Sequence, residues 1–249
     1  MANYWRIVNK VILNSDILLL VLDARMPELT RHREIEMKIR QKAKKILYVL
    51  NKCDLVPKSE IEKAKKELQP CVFVSSKEKL GGTILLKKIL ELSKGQECYV
   101  GVLGYPNVGK SSIINMLKGK KAASVSPHAG HTHGIQFVRA RRKLKLIDTP
   151  GVLPFGEKDI LKQVIIGSKN PEHLKEPDFF AMEIISKYSE LFEKYYNLKY
   201  NGDASEFLET LASKKNVLIR GGKPDLPRMA RQLLYDWQRG KLHKLLLDG

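Results

Sequence analysis

The sequence predicts an α/β fold with a mostly parallel sheet, followed by a smaller all-helical region. Over the first two-thirds of the chain, short apolar runs alternate with longer amphipathic segments. Such alternation is typical of parallel strands that are covered by helices on both faces. After Gly156 the short apolar runs stop, and long helical patterns separated by glycine and proline follow. We therefore expect one domain over residues 1–164 and a second, helical domain over residues 165–249.

The spacing of apolar residues predicts the individual strands and helices. Runs that are apolar throughout predict buried strands, and the last two strands form an antiparallel pair joined by a basic turn. The predicted strands are Ile17–Leu22, Ile46–Leu50, Cys71–Val74, Tyr99–Leu103, Ile135–Ala140 and Leu144–Ile147. The predicted helices are Thr30–Lys44, Ser59–Leu68, Thr83–Ser93, Lys110–Leu117, Glu157–Gly167, Asp178–Tyr196, Ala204–Ser213 and Leu226–Arg239. Ser59 and Glu62 have the spacing of a capping box at the start of the second helix.

Composition excludes several classes of protein. With 43% apolar and 29% charged residues, the 249-residue chain is neither disordered nor fibrous. The longest apolar run, Ile17–Leu22, is too short to cross a bilayer, and the first residues lack a signal-peptide pattern. The three cysteines have no metal-type spacing. These features predict a cytoplasmic protein in a reducing compartment, with no membrane partner.

The formal net charge of +18 is spread unevenly. Residues 1–160 carry 30 basic and 15 acidic side chains, residues 161–213 carry 6 and 9, and residues 214–249 carry 9 and 3. Basic clusters lie at Lys118–Lys121, at Arg139–Lys145 and across Lys214–Lys244. A single charged run is usually a solvated face, but three clusters on one chain favour a polyanionic partner such as nucleic acid.

A phosphate-binding motif lies between a predicted strand and a predicted helix. Residues 104–111 read G-Y-P-N-V-G-K-S and match the G-x-x-x-x-G-K-[ST] template in full. Backbone N–H groups at the helix start point at phosphate oxygens, the lysine adds a positive charge, and the serine hydroxyl is placed to bind Mg²⁺. We therefore predict a nucleoside triphosphate site that requires Mg²⁺. Its phosphate-binding residues are Asn107, Val108, Gly109, Lys110, Ser111 and Ser112.

Two further loops predict that the base is guanine. The sequence Asn51-Lys-Cys-Asp54 follows the second strand, and an aspartate there accepts hydrogen bonds from N1–H and the 2-amino group of guanine. Adenine lacks both donors and would leave the carboxylate unpaired, at a cost of about 1–3 kcal/mol. The loop after the third strand resembles the S-A-K loop that backs the base in GTPases. The candidate base-binding residues are Asn51, Lys52, Asp54, Ser75, Ser76 and Lys77.

Downstream residues complete the set of GTPase motifs. Asp148-Thr-Pro-Gly151 follows the last strand; its aspartate can hold Mg²⁺ through water, and the N–H of Gly151 can face the γ-phosphate. Thr132 supplies a hydroxyl for a second Mg²⁺ contact. The five motifs together predict a GTPase.

The order of these motifs is permuted, since the base-binding loops precede the phosphate loop. A Ras-like domain keeps each strand and loop in place when only its ends are moved. The chain resembles the circularly permuted GTPases of the YlqF/YawG family, and Asp23-Ala-Arg-Met-Pro27 resembles that family's D-A-R-x-P motif. The resemblance covers residues 5–155 and extends more loosely over Leu218–Lys241. It implies a circularly permuted Ras-like P-loop domain followed by a helical domain.

The resemblance also implies a function. Proteins of this family hydrolyse GTP and act in the assembly of the large ribosomal subunit, contacting rRNA through the helical domain. The partners it implies are GTP or GDP, the large subunit and its rRNA, without DNA. Because Asp148–Gly156 leads directly into the second domain, loss of the γ-phosphate is expected to move that domain. The candidate RNA contacts are Arg139, Arg141, Arg142, Lys143, Arg228 and Arg231.

The catalytic machinery is incomplete in the sequence. Val152 and Leu153 stand where Ras-like enzymes carry a water-positioning glutamine, so we expect slow intrinsic hydrolysis that a partner stimulates. Asn107 is at the position where similar GTPases use an asparagine to bind K⁺, although a loop-capping role is an equal alternative. Bacterial relatives carry a histidine in an N-terminal F-P-G-H-M motif that this sequence lacks. The candidate catalytic residues are Lys110, Thr132 and Gly151, with His131 or His133 (and His128 beside them) as replacements for that histidine.

Two other functions stay open at this stage. One is a GTPase switch with a protein client and no RNA role. The other is an RNA-binding module that the nucleotide only stabilises. Binding to rRNA across a salt series separates the first, because phosphate contacts give a steep dependence on salt.

Overall fold

The computed structural model describes residues 2–118, 136–141, 143–148 and 159–246. The chain divides into two compact units, residues 1–157 and 158–249. The first unit contains a sheet flanked by helices, and the described part of the second unit is helical. None of the described helices is long and apolar enough to cross a membrane.

In the part of the first unit that the structure describes, the sheet has six strands: β1 Ile17–Asp23, β2 Lys45–Asn51, β3 Cys71–Phe73, β4 Cys98–Leu103, β5 Gln136–Arg141 and β6 Leu144–Asp148. Their order across the sheet is β3-β2-β1-β4-β6-β5. Adjacent strands are parallel except β5 and β6, which form the predicted antiparallel pair. All seven residues of β1 are buried, as an apolar strand with neighbours on both sides and helices on both faces requires. The predicted α/β fold is confirmed.

The described residues of the first unit form the helices α1 Ala2–Asn14, α2 Pro27–Thr30, α3 Arg33–Gln41, α4 Lys58–Glu67, α5 Gly82–Leu92 and α6 Lys110–Lys118. Helix α1 packs against β4 and buries Tyr4, Val8, Val11 and Ile12 in the core. The sequence analysis did not predict α1.

Three helix predictions differ from the structure. The predicted helix Thr30–Lys44 is shorter in the structure, because α2 ends at Thr30 and α3 begins only at Arg33. His32 caps α3 by accepting a 3.3 Å hydrogen bond from the Ile35 N–H at Nδ1. The capping box at Ser59 is wrong: α4 already begins at Lys58, Pro57 occupies the N-cap position, and no side chain caps the helix. The segment Asp178–Tyr196 is divided, at Tyr188.

The second unit contains α7 Ile160–Ile165, α8 Pro177–Lys187, α9 Ser189–Tyr196, α10 Ala204–Lys214 and α11 Leu226–Gln238. Trp237 is fully buried at its centre, stacked on Phe192 with 6.0 Å between ring centroids. Its indole Nε1–H donates to the Ile165 carbonyl oxygen over 2.9 Å. This bond joins α7 to α11.

The boundary between the two units lies before α7, between residues 157 and 158. The predicted boundary, between residues 164 and 165, would cut through the last turn of that helix.

Candidate nucleotide-binding site

The predicted binding loops all follow the carboxyl ends of parallel strands. The phosphate loop follows β4, the Asn51–Asp54 segment (the base loop) begins at the end of β2, and the Ser75–Leu80 loop follows β3. In open α/β sheets, ligands bind at this edge. The fold therefore brings together residues that are more than 50 positions apart in the sequence.

The phosphate loop depends on backbone conformations that favour glycine. Gly104 has φ +150° and Gly109 has φ +101°. A Cβ at Gly109 would collide with the Asn51 side-chain amide, and one at Gly104 would collide with the Val21 carbonyl oxygen. Asn107, with φ +62°, is exposed at the loop's tip. These positions explain why two glycines are required at this spacing.

Lys110 is buried at the start of α6. Its ammonium group donates to the carbonyl oxygens of Gly104, at 2.9 Å, and of Tyr105, at 2.7 Å. Both acceptors lie in the phosphate loop, so the positive charge is held inside the loop. Ser111 and Ser112 are exposed in the first turn of α6, where free backbone N–H groups attract anions.

Asn51 connects two loops of the site. Its Nδ2 donates to the Val108 carbonyl oxygen over 2.8 Å, and its Oδ1 accepts from the Ser76 N–H over 3.0 Å. The side chain is buried. Asn51 thus fixes the phosphate loop against the Ser75–Leu80 loop, a role that the sequence-based assignment to base binding did not include.

The Ser75–Leu80 loop is closed by its own hydrogen bonds. Ser75 and Leu80 exchange backbone bonds of 3.2 and 2.9 Å, and Ser75 Oγ accepts from the Glu78 N–H. Lys77 lies exposed between them. A Cβ at Gly81, which has φ +77°, would collide with the Phe73 carbonyl oxygen, so the loop requires glycine where it leads into α5.

Asp54 has the properties expected of a guanine ligand. Its Oδ1 is buried, yet accepts no hydrogen bond from any described residue. A buried carboxylate oxygen without a donor is costly, and a ligand with N–H donors satisfies it. The 2-amino and N1–H groups of guanine are such donors.

Lys52, beside Asp54, is bound to the D-A-R-x-P segment. Its ammonium donates to Asp23 Oδ2 over 2.7 Å, and Arg25 binds the same carboxylate with both Nε and one terminal nitrogen. Burial alone raises the pKa of Asp23, but the hydrogen bonds and charges of Arg25 and Lys52 outweigh it and hold that pKa well below its ordinary value. Burial lowers the pKa of Lys52, and the Asp23 carboxylate opposes that change. In the sequence alone, this segment resembles a family motif and indicates no role in the site.

Two of the predicted Mg²⁺ ligands, Ser111 and Asp148, belong to described elements of the fold. Ser111 presents a hydroxyl at the start of α6, and Asp148 ends β6, which pairs with β4. A hydroxyl and a carboxylate are hard oxygen ligands of the kind that Mg²⁺ prefers. Thr132, Gly151, His128, His131 and His133 lie outside the described residues.

The predicted RNA contacts lie in both units. Arg139 and Arg141 are in β5, Arg142 lies outside the described residues, and Lys143 is exposed, donating to the Gly95 carbonyl oxygen. Arg228 and Arg231 are in the first turns of α11. Arg228 is exposed, and Arg231 donates to the Pro227 carbonyl oxygen.

Known proteins share these features. The family described as 50S ribosome-binding GTPase matches residues 99–201. The uncharacterized GTP-binding protein MJ1464 of Methanocaldococcus jannaschii is 44% identical over 98% of this chain and 67% of its own length. The chain belongs to the circularly permuted GTPases of the YlqF/YawG family. It is a GTP-binding enzyme that hydrolyses GTP, and this GTPase family normally uses Mg²⁺.

Solved structures and longer relatives agree with this assignment. The GNP-bound YlqF from T. maritima has a TM-score of 0.69 and 26% identity, with 95% of this chain and 94% of that chain covered. Nucleolar GTP-binding protein 2 of Saccharomyces cerevisiae is 36% identical over 96% of this chain. The chain spans 52% of that relative, so it matches about half of the nucleolar protein.

Proposed function

We propose that this GTPase is a nucleotide-switched assembly factor for the large ribosomal subunit and acts through contact with rRNA. The observation that carries the proposal is the match of residues 99–201 to a family described as 50S ribosome-binding. The name of the nucleolar relatives supports it, because the nucleolus is where eukaryotic ribosomes are assembled.

An exposed basic loop in the second unit supports the RNA contact. Arg220, Lys223 and Arg228 are exposed and form no ion pair with described residues. Gly221 and Gly222, both at positive φ, turn the chain between them. Arg220 and Lys223 on this loop, and Arg228 in the first turn of α11, suit the phosphate backbone of RNA.

At the nucleotide site, the proposed roles rest on the positions of the loops and on the chemistry of their side chains. Lys110 would neutralise charge on the β- and γ-phosphates, Asp54 would select guanine, and Ser111 with Asp148 would hold Mg²⁺. A water molecule attacks the γ-phosphorus, and GDP and phosphate leave. With Val152 and Leu153 in place of a glutamine, no side chain at that position orients the water, so turnover is slow until a partner supplies the missing group. Thr132, Gly151 and one of His131 and His133 remain proposed contributors.

GTP turnover with and without large ribosomal subunits tests the function. We expect subunits to raise the rate by about tenfold or more, as completion of a GTPase site does. Small subunits are the matched RNA-containing control, and Lys110→Ala shows that the turnover belongs to this site. Equal rates with large subunits, small subunits and buffer would contradict the proposal.

A protein client without RNA contact is the alternative function. It predicts that protein-free rRNA fragments do not bind, whereas phosphate contacts predict binding that falls steeply with salt. Affinity with GDP and with a non-hydrolysable GTP analogue should also differ, because the Asp148–Gly156 segment leads into the second unit in the chain. Identical affinities in the two states would contradict a nucleotide switch.

We propose that the nucleotide site binds K⁺ as a second cation and that Asn107 is one of its ligands. The residue is exposed at φ +62° in the phosphate loop, where an amide oxygen can join phosphate oxygens around K⁺. Exchange of Na⁺ for K⁺ should then raise turnover in the native protein but not in Asn107→Gly, which tolerates the same backbone angle. Equal stimulation of both proteins would assign Asn107 to loop structure alone.

A cytoplasmic location also stays a prediction, since the fungal relatives are named as nucleolar.

A further inference from the structure

We propose that Asp23 is a positioning residue for guanine-nucleotide binding, which acts by holding the Lys52 side chain in place at the base loop. This inference rests on the proposed base-binding role of Lys52. Asp23 itself would not touch the nucleotide.

Asp23 and the base loop are neighbours through the sheet. Asp23, the last residue of β1, pairs in register with Asn51, the last residue of β2. The Ala24 N–H donates to the Asn51 carbonyl oxygen over 2.8 Å and extends the pairing by one residue. Lys52 is the next residue along, and its ammonium reaches across to the Asp23 carboxylate at 2.7 Å. The bond therefore joins two loops that the sequence separates by 29 positions.

The backbone of Lys52 needs such a restraint. Its φ of 64° and ψ of 32° lie in the left-handed region, which side chains larger than glycine rarely adopt. The bond between the Lys52 ammonium and Asp23 anchors the end of the side chain and so stabilises this backbone conformation. Asn51 supplies the other restraint, because it is fixed to Val108 and Ser76.

The hydrogen bonds of Asp23 exceed what folding of its own loop requires. Arg25 already bonds both carboxylate oxygens through its guanidinium, and its backbone N–H adds a 3.1 Å bond. Asp23 and Arg25 are almost fully buried, at 0% and 1% side-chain exposure. Lys52 brings a second positive charge to a carboxylate that Arg25 already pairs, and burial of its ammonium is a cost that the Asp23–Arg25 pair alone does not require. The extra cation is the one that extends from the base loop.

The bond to Asp23 restrains the methylene chain of Lys52, and this affects how the ligand binds. A lysine held by its ammonium presents its methylene chain as an apolar surface, and such stems pack against flat rings. In the base loop, Lys52 lies between Asn51, which contacts the phosphate loop, and Asp54. A stem fixed there supports a purine beside the carboxylate that reads its edge. Without Asp23 the stem moves freely and the ligand must bear the cost of ordering it.

A double-mutant cycle tests the proposal, with the dissociation constant of fluorescently labelled GDP as the readout. Asp23→Asn and Lys52→Met should each raise that constant by about tenfold, and the double variant should be no worse than Lys52→Met alone. The matched control is Glu36→Gln. Glu36 is a buried carboxylate that accepts hydrogen bonds from Nε and one terminal nitrogen of Arg31, and among the described residues it bonds no nucleotide-binding loop. This substitution should lower thermal stability and leave GDP affinity unchanged.

Each outcome of the cycle is informative. If Asp23→Asn binds GDP like the native protein, the proposal is wrong. It is also wrong if the double variant raises the dissociation constant of GDP by the product of the two single-variant factors. If Lys52→Met itself binds GDP normally, the base-binding role of Lys52 is wrong, while GTP turnover and subunit binding still test the proposed function. If Asp23→Asn alone does not fold, Asp23→Asn with Arg25→Gln replaces the buried ion pair by two neutral amides and still releases Lys52. That pair of substitutions should show the same tenfold loss, and native affinity would overturn the proposal.

Discussion

Asn51 and Asp54, three residues apart in the base loop, have different environments. Asn51 has both ends of its amide bonded within the protein, to the Val108 carbonyl oxygen and the Ser76 N–H. Asp54 keeps a buried oxygen with no donor among the described residues. A satisfied amide contributes rigidity, whereas an unsatisfied carboxylate contributes binding selectivity, because only a ligand with suitable donors relieves its desolvation.

Asp54→Asn should therefore change which base is bound. The substitution replaces one of the two acceptor oxygens by an NH₂ donor, which cannot accept from the N1–H or 2-amino group of guanine. The dissociation constant of GDP should therefore rise by about 10- to 100-fold, corresponding to about 1–3 kcal/mol. Xanthosine diphosphate carries an oxygen in place of that amino group and can accept from the new amide, so its affinity should improve. Titration with fluorescent analogues of both nucleotides measures the ratio, and an unchanged preference for GDP would remove Asp54 from the base site.

Helix capping shows how an element is fixed by one residue at its end. Asp203 precedes α10, and its Oδ1 accepts from the N–H groups of Ser205, at 2.8 Å, and Glu206, at 3.2 Å. It thereby satisfies two of the four N–H groups that a helix leaves free at its start. The α10 residues Phe207, Leu208 and Leu211 are buried in the second unit.

Asp203→Ala should lower the free energy of unfolding of the second unit by about 1 kcal/mol, since both capping bonds are removed. Urea unfolding followed by circular dichroism measures the change. Glu209→Ala is the matched control, because it also removes an exposed acidic side chain from the same helix but leaves the cap intact. Equal destabilisation by the two substitutions would show that the cap contributes nothing.

Elements were predictable where a local pattern decides them. The apolar runs of β1 and β4 and the glycines of the phosphate loop carry their information within a few residues. The spacing of Tyr4, Val8, Val11 and Ile12 also predicts a helix, so α1 was available in the sequence although it was not identified. The capping box at Ser59 failed because an N-cap depends on where the chain turns, and Pro57 sets that turn before Ser59 is reached.

Contacts between distant segments were not predictable in this way. The motifs identified Asn51, Asp54 and Lys110 as site residues, but nothing local indicates that Asn51 bonds Val108 or that Lys52 bonds Asp23. Those bonds depend on the register of β1, β2 and β4, which brings loops together only after the sheet has formed. The role of a quoted motif such as D-A-R-x-P therefore emerges at the level of the fold.

At the scale of the whole molecule, the net charge of +18 is concentrated in particular segments. Residues 214–249 carry 9 basic against 3 acidic side chains, whereas residues 161–213 of the same helical region carry 6 against 9. A uniform basic coat would give every surface lysine a similar share in RNA binding. With a localised RNA-binding surface around the start of α11, the effect of removing a basic side chain on RNA affinity depends on where that side chain lies.

Two charge-removing double variants separate these cases. Arg228→Gln with Arg231→Gln, at the start of α11, should weaken the binding of large-subunit rRNA and reduce the slope of log affinity against log salt by about 0.7–0.9 for each RNA phosphate that is no longer neutralised. Lys175→Gln with Lys187→Gln removes the same charge from exposed positions in the acidic segment and should leave both quantities nearly unchanged. Filter binding over a salt series measures both. If the two pairs reduce affinity equally, RNA responds to net charge alone, because a specific surface on α11 requires the first pair to dominate.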